Sequence, residues 1–315
     1  MSRSPTYNMK IVSYEYFGEA RHQSSNIETA SRFNNVRELI ESNEVIWPLR
    51  EGVETIVRRT HADDRVDSVH HWSSISPAGE FRQLSLDTYA TDDTFEIAML
   101  AAGCGLRASD YAQKGENAFA IIRPPGHHAT RDFCNGFCVF NNMGIAIEHL
   151  ARRDSGNKVL VVDVDVHMGD GTRSIIKSSD YRDRLALLDI YQEGIYPFKE
   201  AENEGNIRQS ELRYETPDDV WKNHFEREFY DMLASFRPNI IGLSLGFDTA
   251  ELDLNAVGGG VGFCLTERSY EFLRKLLDQT NIPYFGLLEG GYRPESIKLG
   301  LDTFLGIKPY REAYH

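Results

Sequence analysis

The chain has 315 residues, of which 41% are hydrophobic and 26% are charged. This is the composition of a globular protein long enough to bury a sizeable core, and it excludes a disordered chain. The formal net charge is −14, which is also ordinary for a cytoplasmic protein. Because an acidic surface repels phosphate backbones, we expect no nucleic-acid binding and an attraction for cationic ligands.

The hydropathy and the cysteine content of the chain indicate its compartment. No segment approaches the ~18 consecutive apolar residues that a membrane span needs, and the N-terminus lacks the apolar core of a secretory signal. Four cysteines are too few for a disulfide framework in a chain of this length. We therefore expect a cytoplasmic protein with reduced thiols and no membrane association.

Apolar β-branched runs alternate with amphipathic stretches along the chain. The predicted strands are residues 11–16, 118–123, 158–164, 185–190, 239–245 and 284–288. The predicted helices are residues 25–41, 92–112, 142–153, 218–236, 266–279 and 296–305. This strand-then-helix order predicts an α/β fold in which one parallel sheet is flanked by helices, with a single domain over residues 1–315.

One segment, residues 60–91, does not follow this alternation. It is polar and rich in Asp, His and Ser, and it carries Trp72 near its middle. We expect a long surface excursion that is either a solvent-exposed insertion or a functional loop. Trp72 and Phe81 are its candidates for lining a pocket mouth or an interface.

Residues with acid–base and ligand chemistry follow four of the predicted strands. Ligands of doubly wound sheets bind outside the carboxyl ends of the strands, so these residues are expected to converge there. The four segments are Pro-Pro-Gly-His-His at 124–128, Asp-Val-Asp-Val-His-Met-Gly-Asp-Gly-Thr at 163–172, Gly-Phe-Asp at 246–248 and Glu-Gly-Gly-Tyr at 289–292.

The first of these convergent groups is a candidate metal site. Asp165 and His167 are two residues apart, so in extended backbone both face the same side. Asp248 at a neighbouring strand end can supply a third ligand. Three protein ligands with an open position are typical of a catalytic zinc, and the cysteines form no paired cluster of the structural-zinc type.

The second group is a pair of adjacent histidines, His127 and His128, which suit acid–base work because imidazole titrates near neutral pH. Each needs a partner that fixes its tautomer, and Asp163 and Asp170 are available at the exit of the next strand. The two prolines before the pair stiffen the turn that carries it.

Five motifs in this order resemble the zinc-dependent histone deacetylase and acetylpolyamine amidohydrolase superfamily. They are residues 123–129, 136–142, 163–172, 246–249 and 289–292. The resemblance implies the arginase–deacetylase α/β fold, with a central parallel sheet of about eight strands. It also implies hydrolysis of the amide of an acyl-lysine or another small acylated amine.

Site residues are carried over from this family by position. By resemblance, the Zn²⁺ ligands are Asp165, His167 and Asp248. The tandem catalytic histidines are His127 and His128, with Asp163 and Asp170 as their carboxylate partners. The catalytic tyrosine is Tyr292, and the substrate-binding residues are Gly136, Phe137, Tyr196 and Gly290. The family also often holds a structural K⁺ through backbone carbonyls around Asp163, Asp165 and His167.

Several positions depart from the family pattern. Met168 replaces a frequent second histidine, which spares the metal because that residue is not a ligand. Leu187 stands where a serine usually helps to hold K⁺, so that ion is in doubt. Asp170 agrees with many histone deacetylases, whereas residues 244–249 and 289–292 resemble the polyamine branch. The choice between protein lysine, polyamine and small metabolite is therefore open.

The function predicted from these features is metal-dependent hydrolysis of an N-acyl amine, with Fe²⁺ as an alternative to Zn²⁺ because the ligand set suits both. A binuclear manganese ureohydrolase of the same fold would need further ligands where Pro-Pro-Gly-His-His stands. An acyl-group binding protein would show a broken catalytic set, yet all six catalytic and metal residues are present. The oligomeric state is open, a homo-oligomer included.

Overall fold

A sheet of eight parallel strands forms the centre of the computed structural model, with the strand order β2-β1-β5-β10-β9-β6-β7-β8. The structure describes residues 9–307 except 16–21, 37–39, 41 and 42. The strands of this sheet are β1 Lys10–Val12, β2 Val45–Ile46, β5 Ala118–Ala120, β6 Val159–Asp163, β7 Leu185–Gln192, β8 Ile207–Leu212, β9 Ile240–Leu245 and β10 Tyr284–Leu288. A two-stranded antiparallel hairpin, β3 Arg82–Gln83 and β4 Tyr89–Ala90, lies apart from it.

Eight α-helices accompany the sheet in the described part of the chain. They are α1 Val53–Thr60, α2 Asp63–Ile75, α3 Thr94–Gln113, α4 Asn142–Arg153, α5 Asp170–Ser178, α6 Asp218–Phe236, α7 Glu267–Gln279 and α8 Pro294–Leu305. Helix α3 packs on β1, β5, β9 and β10, while α6 packs on β7. None of these helices is both long and apolar enough to cross a membrane.

The central strands are mostly apolar because helices cover the sheet, and their polar exceptions, Asp163 and Ser244, lie at or near the carboxyl ends. Every residue of β6, β9 and β10 is buried. Full burial of a Val, Leu or Ile side chain stabilises a fold by about 1.5–3 kcal/mol, so these strands contribute strongly to the core. The predicted α/β class with one parallel sheet is confirmed, and the helices predicted at 142–153 and 218–236 have the predicted bounds.

The strand register aligns the ends that carry the chemistry. Asp163, the last residue of β6, pairs with Ser244 of β9 and with Asp189 of β7. Leu245 at the end of β9 pairs with Leu288 at the end of β10. The loops that follow β6, β9 and β10 therefore leave the sheet at one level and meet above the same edge.

The helix predicted at residues 25–41 is wrong for the part that the structure describes through residue 36. That stretch contains a short 3₁₀ turn, Ala30–Phe33. Ser25 Oγ accepts hydrogen bonds from the N–H groups of Ile27 and Glu28, a local bond that competes with helix formation. Residues 37–39 and 41, and Tyr16 of the first predicted strand, lie outside the described residues.

The segment at residues 60–91, predicted as a long surface excursion, contains regular secondary structure. Helix α2 buries Val66 and Val69 and packs against α3, and the β3–β4 hairpin follows it. Only a few apolar residues mark the buried face of α2, so its period is hidden among Asp, His and Ser. Trp72 and Phe81 are 38% and 48% exposed, and neither lines the active-site cavity described below.

Gly300 tests how tightly α8 packs behind the site. A Cβ at this position would clash with the ring of Phe247, which is buried and precedes Asp248. We expect Gly300→Ala to lower the free energy of unfolding by about 1–3 kcal/mol, as overpacked cores do, measured by urea denaturation. Gly259→Ala is the control, because a Cβ there meets no atom within 4 Å. Equal stability of the two variants would contradict the close packing.

Candidate active site

Three ligand-type side chains meet above the ends of β6 and β9. Asp165 and His167 follow β6 and Asp248 follows β9, and their donor atoms all lie within 4.8 Å of one another. His167 Nδ1 is 3.1 Å from Asp165 Oδ1 and 3.2 Å from Asp248 Oδ2. All three residues are buried. The convergence that the sequence predicts is therefore present in the structure.

The chemistry of this cluster fits a divalent cation. Asp248 Oδ2 is buried and accepts no well-formed hydrogen bond from the described residues. Burial and the neighbouring Asp165 carboxylate raise the pKa of Asp248, because two negative charges share a site without water. One imidazole nitrogen and two carboxylates are a donor set that suits Zn²⁺ and also Fe²⁺.

Two glycines make room for this cluster. A Cβ at Gly246 would collide with Asp165 Oδ2, and a Cβ at Gly290 would collide with Asp248 Oδ2. Gly290 also donates its N–H to Asp165 Oδ2 at 2.9 Å. The structure thus places Gly290, which the resemblance assigns to substrate binding, directly beside the metal-ligand carboxylates.

The two predicted histidines each contact the predicted carboxylate. His127 Nδ1 lies 3.2 Å from Asp163 Oδ2, and His128 Nδ1 lies 2.8 Å from Asp170 Oδ1. The two imidazole rings are 4.1 Å apart between centroids. Because Nδ1 of each ring is held by a carboxylate, Nε2 of His128 is left to accept a proton.

The two histidines have opposite electrostatic environments. Burial alone would lower the pKa of His127, but the Asp165 and Asp163 carboxylates outweigh it and raise that pKa well above 6.5. Burial, together with the charge of His127, lowers the pKa of His128 to about 4. At neutral pH, His128 is therefore the unprotonated member of the pair and the one suited to act as a base.

The backbone and the ring of Tyr292 are both held by neighbouring residues. Its N–H donates to Asp253 Oδ2 at 2.9 Å, and Asp253 also accepts from the Arg293 N–H at 2.8 Å. The Arg32 guanidinium lies 4.8 Å from the centre of the Tyr292 ring. Burial raises the pKa of Tyr292 well above its usual range, so its hydroxyl keeps its proton.

A cavity of about 410 Å³ leads to these groups. His128, His167 and Tyr292 line it, and the remaining lining residues include Asp87, Gly136, Phe137, Tyr196, Phe198 and Val257. The Tyr196 ring meets the His128 ring edge-on, with the centroids 4.9 Å apart. Gly136, Phe137 and Tyr196 thus line the cavity, as expected of tunnel residues.

The segment at residues 60–91 supports one wall of this cavity. Asp87 Oδ1 accepts the N–H of Gly136 at 3.0 Å, and Thr88 Oγ1 accepts the N–H of Phe137 at 3.1 Å. Gly136 and Phe137 both have positive φ, and a Cβ at Gly136 would collide with the His128 ring. These bonds hold a conformation that a residue such as Phe137 rarely adopts.

Several contacts that hold the site together were not predicted from the sequence. Glu289 Oε2 accepts the N–H of Gly126 at 2.6 Å and that of His127 at 3.2 Å, so it fixes the loop that carries the histidines. Arg32 donates to the Glu289 carbonyl at 2.9 Å and is held in turn by Glu28. The sequence signal for Glu289 was an acidic residue directly after a predicted buried strand, within the motif at residues 289–292.

The doubt about a K⁺ site rested on Leu187, but the observed strand register places a different residue of β7 beside Asp163. Leu187 pairs with Val161, and the residue of β7 beside Asp163 is Asp189. Asp189 Oδ2 accepts from Gln209 at 2.7 Å, whereas Oδ1 is buried with no hydrogen-bond partner in the described part of the chain. A buried carboxylate, rather than a leucine, therefore faces this region, and K⁺ binding stays a prediction.

Comparison with known proteins agrees with this geometry. The model of the histone deacetylase domain matches residues 22–307. A probable deacetylase of Methanothermobacter thermautotrophicus is 30% identical over 89% of this chain and 84% of its own length. A histone deacetylase-like amidohydrolase of Pseudomonas aeruginosa is 33% identical over 60% of this chain, which spans about half (52%) of that relative.

A solved structure shares the fold. The acetylpolyamine aminohydrolase from Burkholderia pseudomallei has a TM-score of 0.77 and 21% sequence identity, and the match covers 94% of this chain and 98% of that one. The chain belongs to the histone deacetylase family, and it is an enzyme of the deacetylase class.

Metal binding can be tested apart from activity. We expect about one Zn²⁺ per chain, and we expect Asp248→Asn to weaken binding by about 10–100-fold because a charged ligand is lost. Calorimetric titration of the metal-free protein measures both quantities. Asp87→Asn is the control, since that carboxylate lines the cavity but lies outside the ligand cluster. A stoichiometry near two would instead favour a binuclear enzyme.

Proposed function

We propose that this protein hydrolyses the amide bond of an N-acylated amine, such as acetyl-lysine or an acetylpolyamine, with a bound divalent cation. The observation that carries this proposal is the meeting of His128, His167 and Tyr292 on one cavity, next to the three-residue ligand cluster. A base, a metal site and a hydroxyl donor are groups that together can catalyse amide hydrolysis.

Asp165, His167 and Asp248 are the residues that would hold the cation. When bound, Zn²⁺ or Fe²⁺ supplies Lewis-acid chemistry, which polarises the amide carbonyl and makes a water more acidic. The glycines at 246 and 290 keep the two carboxylates close enough to share it.

His128 is the proposed general base and acid. Its Nδ1 is held by Asp170, so its Nε2 takes the proton from the attacking water. The same nitrogen then delivers that proton to the leaving amine as the C–N bond breaks. His127, whose Nδ1 lies beside Asp163, is proposed to stabilise negative charge that develops nearby, since the Asp165 and Asp163 carboxylates raise its pKa against the effect of burial.

Tyr292 is the proposed donor to the oxyanion of the tetrahedral intermediate. Its raised pKa keeps the phenol protonated, and Asp253 and Arg32 fix the backbone and the ring that present it. A preorganised donor contributes more than a mobile one, because it needs no reorganisation during the reaction.

The walls of the cavity support an extended aliphatic substrate. Phe137 and Tyr196 offer aromatic surface for a methylene chain, while Asp87 offers a carboxylate that attracts a cationic or N–H-bearing end. The P. aeruginosa amidohydrolase and the B. pseudomallei acetylpolyamine aminohydrolase are relatives whose names agree with this class. A parallel turnover screen of acetyl-lysine peptides, acetylpolyamines and longer acyl-lysines distinguishes the substrates.

The wider organisation is proposed on the same basis. One sheet joins eight of the ten described strands, and the family match spans most of the chain, which supports one catalytic domain over residues 1–315. The absence of nucleic-acid partners, the cytoplasmic location and the oligomeric state stay predictions.

Replacing the proposed base tests the assigned role. We expect His128→Ala to lower kcat by about 10²–10⁴-fold, because positioned acid–base catalysis contributes that much. His149→Ala is the control, since His149 lies on α4 and does not line the cavity. Turnover is measured on a fluorogenic acetyl-lysine peptide, and near-normal turnover by His128→Ala would show that this residue is not the base.

Removing the Tyr292 hydroxyl tests the oxyanion donor. We expect Tyr292→Phe to lower kcat by about 10²–10³-fold with the fold intact, because one oxyanion donor is lost. Tyr191→Phe removes the same atom from a tyrosine that bonds Glu211 instead, and it should retain activity. The assignment fails if the two variants turn over substrate equally.

Chelation tests the need for a cation. We expect treatment with a chelator to reduce turnover by about tenfold or more and added Zn²⁺ to restore it, because the water loses its Lewis acid. Circular dichroism before and after treatment checks that the fold survives. Activity that is indifferent to chelation would contradict metal dependence.

A further inference from the structure

We propose that Lys199 is a positioning residue for the His128–Asp170 pair, an inference that rests on the proposed function. Lys199 Nζ lies 2.6 Å from Asp170 Oδ2, while the other oxygen, Oδ1, lies 2.8 Å from His128 Nδ1. The carboxylate therefore bridges a lysine and the proposed base. Neither the motifs nor the resemblance points to Lys199, which lies outside every motif.

The Asp170 carboxylate is buried, and its side chain is only 2% exposed. An oxygen of this carboxylate that loses its protein partner is left as a buried, unpaired acceptor, which costs free energy. Burial alone would raise the pKa of Asp170, but His128 and Lys199 lower it to about 2. With Lys199 on Oδ2, the carboxylate keeps its charge and directs Oδ1 at His128.

The loop that carries Lys199 also contacts the His128 imidazole directly. Tyr196, three residues earlier, places its ring edge-on against His128. The loop is fixed to α5, the helix that begins at Asp170, because Arg173 Nη1 donates to the Glu200 carbonyl at 3.0 Å. One loop thus orients the proposed base through a ring contact and through its carboxylate.

An ordinary surface ion pair between two exposed side chains would contribute little to the free energy of folding. Lys199 differs because its acceptor is buried and is already bound to the proposed base. The chain offers a matched comparison in a lysine of helix α5 whose partner lies on the same loop. Lys177 is 46% exposed, as is Lys199, but it pairs with Glu202 and does not contact Asp170.

The experiment compares Lys199→Met, Lys199→Arg and Lys177→Met in the full chain with Zn²⁺ bound. We expect Lys199→Met to lower kcat by about tenfold, at the lower end of the effect of outer partners, with KM changed by less than about twofold. Lys199→Arg should restore most of kcat, because it returns the charge. Lys177→Met should match the wild type.

A second readout does not depend on turnover. Long-range ¹H–¹⁵N spectra of the metal-free, histidine-labelled protein report which nitrogen of His128 carries the proton. We expect the wild type to hold the proton on Nδ1 and Lys199→Met to show a mixture of tautomers. Unchanged spectra and kcat in Lys199→Met would overturn the proposal, as would an equal loss of kcat in Lys177→Met.

These readouts separate this inference from the proposed function. If the wild type hydrolyses no acylated amine, the proposed function fails. The tautomer of His128 in Lys199→Met then still decides whether Lys199 positions the pair.

Discussion

The close approach of two buried carboxylates is the constraint on which the rest of the site depends. Asp165 and Asp248 come from different strand ends, and both are buried beside His167. Two buried negative charges this close repel each other strongly, so a cation or a proton must accompany them. The aligned register of β6 and β9 imposes the approach, and glycines at 246 and 290 permit it.

The same group of carboxylates gives the two histidines different electrostatic environments. His127 lies beside Asp163 and Asp165, which raise its pKa against the effect of burial, whereas burial and the neighbouring His127 lower the pKa of His128. Adjacent residues of one type thus acquire opposite pKa shifts from their surroundings. In the proposed mechanism, this difference separates the proton acceptor, His128, from the electrostatic stabiliser, His127.

The sheet and most of the candidate metal site were predictable because their sequence signals are local. Continuous apolar runs predict buried parallel strands, and Asp165 and His167 lie two residues apart on one strand exit. Helix α2 was missed because few of its residues face the core, and the contact of Arg32 with the Tyr292 ring was missed because 260 positions separate the two residues in the chain (292 − 32 = 260). The sequence also did not show that Asp189, rather than Leu187, pairs with Asp163, because strand register depends on the neighbouring strand.

The bonds from Asp87 and Thr88 end on backbone N–H groups of Gly136 and Phe137, not on their side chains. The hydrogen bonds that hold this wall therefore do not require a phenyl ring at residue 137, although its positive φ limits which residues fit there. Under the proposed function, a substitution at 137 that tolerates this φ would alter the width and polarity of the cavity while the two backbone bonds are kept.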